Sequence, residues 1–230
     1  MKNALLIDLG GTNIRYAFLI KNALTEISKE KIADEEFIPF LAKLLEEKKG
    51  DEIDYLVIAA AGPNNQKSIN LTNRNLFIDS DEIKTKFNLK DCLLLNDWEA
   101  VARSLDELNQ ECFLPIKRGA PSGGNNILIG PGTGLGVTLI IKGQIIPTEF
   151  GNTFSPTKSM LENFKIEDNK TFLSLENILS GPGIEMLYEE KFGEKLSSEN
   201  IISSALEGDK DALYIIENFL KTLVSIINDL

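Results

Sequence analysis

"IDLGGTNIRYAFLI", residues 7–20, decides how the rest of the chain is read. A short apolar strand reaches Asp8, bends over Gly10, Gly11, Thr12 and Asn13, and returns at once as a second apolar strand. A tight turn alone needs φ > 0 at one or two positions, which glycine supplies without steric cost. A glycine pair followed by threonine also lets backbone N–H groups approach a ligand and adds a hydroxyl donor, as a phosphate cradle requires. Asp8, at the strand's end, would then stand near a magnesium–phosphate unit. From this stretch alone an ordinary hairpin and a phosphate-holding hairpin both stay open.

The pattern returns at 127–141, ILIGPGTGLGVTLII, where GPGTGLG (130–136) places four glycines in seven positions. That exceeds what a turn requires. The spacing is not the dinucleotide fingerprint, because the next residues, VTLII, are strand-like rather than helical, and no Gly-Lys-Ser/Thr marks a Walker loop. Two threonine-bearing glycine hairpins in one chain suggest a phosphate clamped from two sides. Between them, LLLNDWEA (93–100) ends a buried strand in Asn96-Asp97. Ligands bind at the carboxyl ends of strands in α/β proteins, so Asp97 is a candidate acceptor of a hydroxyl proton. Capping the following helix is its structural alternative.

Around these motifs the pattern predicts strands at 4–9, 13–20 and 24–32, a helix over 35–48, and a strand at 54–60. A polar segment (62–76), a helix near 80–87, a strand at 91–95 and a helix over 98–108 follow. Residues 119–126, GAPSGGNN, read as a loop. From about residue 158 the chain reads as helices, including 171–179 and a last one over 211–230. In that last helix Ile215, Ile216, Phe219, Leu220, Leu223 and Ile227 form a broad apolar face. Mixed strand and helix order gives an α/β protein of two lobes, 1–110 and 111–230, each led by a hairpin. Self-association, or a complementing second polypeptide, is the expected cover for the last helix.

Composition removes whole classes of function. The 230 residues carry a net charge of −11, which disfavours nucleic acid and anionic membrane as partners. With two cysteines and no histidine, a disulfide framework, a histidine triad and a His/Cys zinc site are excluded. Acid–base work falls to carboxylates, Lys or Tyr. No apolar run is long enough to span a bilayer and the N-terminus meets a charge too early for a signal peptide, so a cytoplasmic protein is expected.

Together DLGGTNIRYAF (8–18), LTNRN (71–75), LNDWEA (95–100), GPGTGLGV (130–137) and ENILSGPGIEMLY (176–188) resemble, in order, the signatures of bacterial-type glucokinases of the sugar kinase and actin-like ATPase superfamily. The resemblance implies a two-lobed actin-like (ribonuclease H-like) α/β fold and transfer of the γ-phosphoryl group of ATP to the 6-hydroxyl of glucose in an interlobe cleft. It implies Asp97 as general base, with Asn96, Glu149, Asn152 and Glu176 as further sugar ligands. Gly10, Gly11, Thr12, Asn13, Gly132, Thr133 and Gly134 would line the phosphates, with Asp8 near magnesium. ATP and polyphosphate both remain open as donors.

Two departures from the family pattern bear on this expectation. The family's Glu-Gly-Gly-His reads Glu149-Phe150-Gly151-Asn152 here, which replaces a sugar-contacting histidine and inserts a bulky ring. Family members also continue beyond the last helix, so an incomplete second lobe is expected. The alternatives to an active kinase are one half of a split kinase, or a non-catalytic sugar-binding protein lacking the adenosine subsite.

Overall fold

The computed structural model describes residues 3–11, 13–62, 65, 67–71, 74–117, 124–155, 157–167 and 170–229. Thr12, two positions of the 71–75 motif and most of the 119–126 loop lie outside them. By contacts the chain divides into two compact units, Met1–Gly124 with Ile141–Pro147, and Asn125–Ile140 with Thr148–Leu230.

The first unit starts with β1 (Ala4–Leu9) and β2 (Ile14–Ile20), an antiparallel pair with Asp8 opposite Arg15. The segment expected as one strand over 24–32 is two short pieces, β3 (Ala23–Leu24) and β4 (Ser28–Glu30), both paired to β2. The interruption falls at Thr25, whose hydroxyl accepts the Phe18 N–H at 2.9 Å, so a side chain takes a place in the ladder. Helix α1 (Phe37–Glu47) then leads to β5 (Tyr55–Ala60), parallel to β1. The polar segment contributes β6 (Ser68–Asn70), which forms a small hairpin with β7 (Phe77–Asp79).

Asp79 caps α2 (Ser80–Lys86), accepting the N–H groups of Asp81 and Glu82. Strand β8 (Asp91–Asn96) runs parallel to β5 and passes directly into α3 (Asp97–Ser104). The sheet order β3-β2-β1-β5-β8 puts the apolar run of β5 in a central position. Leu5, Ile7 and Leu9 of β1 pack with Leu56, Ile58 and Leu94 against Phe37, Leu41 and Leu44 of α1. Burying each such side chain stabilises by about 1.5–3 kcal/mol. This core holds the carboxyl ends of β1, β5 and β8 in register.

The second unit is led by the antiparallel hairpin of β9 (Asn126–Pro131) and β10 (Leu135–Ile141); β11 (Gln144–Thr148), next in the chain, belongs as far as Pro147 to the first unit. Helices α4 (Lys158–Phe164), α5 (Gly181–Phe192), α6 (Ser198–Leu206) and α7 (Lys210–Asp229) complete it. Residues 171–179 are turns rather than the expected helix. Asn177 Oδ1 accepts from the Leu173 N–H, the Ser174 N–H and the Ser174 hydroxyl, an arrangement that competes with helical bonding. In α7 the buried seam is Ala212, Ile215, Phe219, Thr222 and Ile226, at alternating steps of three and four, whereas Leu220 and Ile227 of the expected apolar face are exposed.

Candidate active site

In the first unit the chemistry gathers where β8 becomes α3. Asn96 is the N-cap: its Oδ1 accepts the N–H groups of Trp98 (3.0 Å) and Glu99 (3.3 Å). Glu99 returns the contact by accepting the Asn96 N–H at 3.4 Å, which closes a capping box. Glu99 is itself buried and held by Arg103, whose Nε and Nη2 reach its Oε1 at 3.1 and 2.7 Å. The capping job that Asp97 would otherwise fill therefore belongs to Asn96. Asp97 stands at the first helical position, half-buried, with Oδ1 accepting the Trp98 N–H at 2.9 Å.

Burial pushes the Asp97 carboxyl above its ordinary value of 3.8, the negative charge of Asp8 raises it further, and the Trp98 amide opposes both. Asp8 is two strands away at the same carboxyl edge, with Ala59 and Ala60 of β5 between the two sites. These small residues leave the edge free of bulky side chains. Asp8 also pairs with Arg15 at 2.8 Å on the surface. In the first hairpin the Gly10 N–H closes the turn on the Asn13 carbonyl at 3.0 Å. The exposed Gly11 amide makes no hydrogen bond among the described residues. Arg74, from the 71–75 motif, is a brace: its Nε meets Asp34 Oδ1 at 2.5 Å and its Nη2 the Ile32 carbonyl at 2.6 Å.

The second unit brings its candidates together around Gly151. The Gly132 N–H bonds the Gly134 carbonyl at 2.8 Å, and the exposed Thr133 amide has no partner among the described residues. Glu176 lies under this hairpin, its Oε2 accepting the Leu135 N–H at 3.4 Å. A Cβ on Gly134 would stand 2.8 Å from that oxygen, so glycine is what lets the carboxylate in. The Glu176 N–H in turn donates to the Gly151 carbonyl at 2.9 Å. Gly151 is buried in the turn from Glu149 to Asn152, where Asn152 Nδ2 approaches Glu149 Oε2 at 3.4 Å. Phe150 packs against the second unit's core, which gives its bulk an inward destination.

Beside this hairpin is a pocket of about 580 Å³, lined by Thr133, Ile184, Glu185, Glu199, Ile202 and Phe219 among others. Such a volume falls in the range of small-molecule sites. Among the described residues no group of three or more carboxylate or thiol ligands forms a metal cage. Magnesium commonly takes one or two carboxylates together with substrate phosphates, and Asp8 fits that mode. Among the same residues no helix is long and apolar enough to cross a membrane.

Sequence reasoning missed Glu99 and Gly151. The first carried a signal, since Asn-x-x-Glu ahead of a helix is a capping-box pattern. The role of Gly151 depends on contact with Leu135 and Glu176, distant in sequence, and carried none.

A family model described as glucokinase matches residues 5–230. The glucokinase of Caulobacter vibrioides is 29% identical over 252 residues, covering 97% of this chain and 74% of its own length. Among solved structures, a glucokinase from an Antarctic psychrotroph superposes with a TM-score of 0.79 at 24% identity, covering 100% of this chain and 78% of that one. A ROK family glucokinase from Streptomyces griseus, in complex with glucose and AMPPNP, gives 0.57 at 15% identity over 96% of this chain and 76% of its own. These likenesses show the fold, the α/β fold of actin-like ATPases. The chain spans about three quarters of the length of these relatives.

Proposed function

The chain belongs to the glucokinase family of ATP-dependent hexose kinases, and on that premise we propose that it transfers the γ-phosphoryl group of ATP to the 6-hydroxyl of glucose with Asp97 as general base. The observation that carries the reading is the placement of Asp97: a carboxylate at the carboxyl end of a parallel strand, its proton affinity raised by burial. A base that holds a proton more tightly than a free aspartate is better matched to accepting one from an alcohol as the new bond forms.

Phosphoryl transfer asks for positioning and charge neutralisation more than covalent catalysis. Asn96 Oδ1 is committed to the helix cap, so its amide NH2 is the part left to donate to a sugar hydroxyl. Glu149, Asn152 and Glu176 supply further hydrogen-bonding groups for vicinal hydroxyls. The donor's phosphates are assigned to Gly11, Thr12 and Asn13 of the first hairpin and to Thr133 and Gly134 of the second. Gly10 and Gly132 shape those turns through bonds of their own amides. Magnesium, bound with the donor, supplies neutralisation of phosphate charge, and Asp8 is the residue assigned to hold it, directly or through water.

The test is a coupled assay of glucose phosphorylation together with calorimetric binding of glucose. Asp97→Asn is expected to lower kcat by about 10²–10⁴-fold while glucose binding stays measurable. Undiminished turnover in that variant removes Asp97 from its role. A wild-type chain that binds glucose and never phosphorylates it supports the sugar-binding alternative.

A further inference from the structure

The Asn96-Asp97 turn ends β8, the outermost strand of the order β3-β2-β1-β5-β8, and among the described residues no strand lies on its outer side. The end of such a strand opens more readily than one paired on both sides. A general base tolerates little of that freedom, because a misplacement near 1 Å costs about 10²-fold in rate. Something other than the sheet has to hold this turn.

Glu99 and Arg103 are placed to do so. Glu99 Oε2 accepts the Asn96 backbone N–H at 3.4 Å, while Oε1 accepts Nε and Nη2 of Arg103 at 3.1 and 2.7 Å. The carboxylate side chain is 11% exposed and the guanidinium side chain 53%, so the pair reaches from the buried turn to the surface. A helix cap needs less than this. Asn96 Oδ1 by itself satisfies the N–H groups of Trp98 and Glu99, and a capping box as such uses no cation. Without Arg103 the Glu99 carboxylate would be an uncompensated charge in a buried place, and it would turn toward water and release Asn96.

We propose that Glu99 and Arg103 are positioning residues for the reaction: Arg103 pins Glu99, and Glu99 pins the main chain of Asn96, which keeps the Asp97 carboxylate and the Asn96 amide aimed for the sugar. The proposal rests on the reading of Asp97 as general base and Asn96 as a sugar ligand. Neither member of the pair needs to touch substrate.

Only a carboxylate can serve both partners. It has two acceptor oxygens and no donor, whereas the glutamine amide has one oxygen and an NH2 group. Glu99→Gln therefore sets a donor against either the Asn96 N–H or the Arg103 guanidinium. In the double variant Glu99→Gln/Arg103→Leu that conflict is gone, and the amide oxygen can turn to Asn96 with its NH2 toward solvent.

The test measures turnover with glucose, calorimetric glucose affinity and unfolding midpoint in the wild type, the two single variants and the double variant. Each single variant is expected to lower kcat by about tenfold through Asp97, and to weaken glucose binding by about threefold through Asn96. The double variant should return both to within about twofold of the wild type, since one neutral hydrogen bond again holds the turn. A role confined to helix stability predicts the opposite order, with the double variant, stripped of the ion pair, faring worst. In the Asp97→Asn background Glu99→Gln should leave the residual kcat unchanged, because the group it positions is gone. Should Glu99→Gln fail to fold, Arg103→Leu, a change at a half-exposed side chain, carries the same comparison with the double variant.

Single variants with wild-type kcat and glucose affinity, a double variant no better than the singles, or an equal loss from Glu99→Gln in the Asp97→Asn background overturns the proposal. A wild type without turnover whose glucose affinities still follow the expected order supports the hold on Asn96 and sinks the general-base reading. Wild-type turnover with unaffected single variants does the reverse.

Discussion

Replacing Gly151 by alanine tests whether one buried backbone contact organises the second unit's candidate residues. A Cβ at this position would stand 2.2 Å from the Leu135 carbonyl oxygen, 2.9 Å from Leu135 Cβ and 3.1 Å from its carbonyl carbon. Contacts under 3.0 Å are not tolerated, so the turn and the start of β10 must separate by about 0.8 Å. Two of the three obstructing atoms are backbone, and no flexible side-chain end can yield instead. Overpacking of this kind costs about 1–3 kcal/mol, which in a chain of this size lowers the melting midpoint by roughly 3–10 °C. The same displacement moves Glu149 and Asn152, and through the Gly151 carbonyl it moves Glu176. A misplacement near 1 Å costs a phosphoryl-transfer site about 10²-fold in kcat/KM. The assay is thermal unfolding beside glucose-dependent turnover, with Gly50→Ala as control, because a Cβ there meets nothing within 4 Å. A Gly151→Ala chain with wild-type midpoint and wild-type kcat/KM would refute the reasoning.

Asp97 has its proton affinity raised mainly by burial and further by Asp8, so the acid limb of the kcat/KM profile, which reports the free enzyme, should lie above pH 3.8, and Asp8→Asn should move it to lower pH. The stability consequence has a definite sign: above the raised native value the fold bears the cost of a buried charge, and below 3.8 both states are protonated. Asp97→Asn should therefore raise the melting midpoint near neutral pH and leave it unchanged near pH 3; an equal change at both would contradict this. Asn96→Ala should cost about 1 kcal/mol through the lost cap, and Asn96→Ser should recover that stability in urea unfolding without recovering glucose affinity. Burial, with Asp91 adding to it, pushes the Cys92 thiol up to about 12, while Cys112 is exposed. A thiol reagent near pH 8 should titrate one cysteine in the native chain and two in denaturant; two in the native chain would show β8 to be more open than its packing implies.

Local signals carried far. The two glycine hairpins, the parallel strands β5 and β8 and the amphipathic α1 and α7 all follow from spacing alone, because a strand's period of two and a helix's of 3.6 are written directly in the order of apolar residues. Where side chains replaced backbone partners, that period misled. Thr25 interrupted a strand, and Asn177 held residues 171–179 in turns despite an apolar pattern suited to a helix.

What the amino-acid order determined by itself was the kind of chemistry: no histidine, two threonine-bearing bends and an Asn-Asp pair at a strand's end. What only tertiary structure decided was the division of labour. It made Asn96 rather than Asp97 the cap, turned Arg74 into a brace, closed Gly10 and Gly132 on their own turns, and set Gly151 against Leu135 and Glu176. Those outcomes depend on which groups meet across long stretches of chain. Each hydrogen-bonding group is committed to whichever neighbour the packing brings within about 3 Å, and no local pattern encodes that choice.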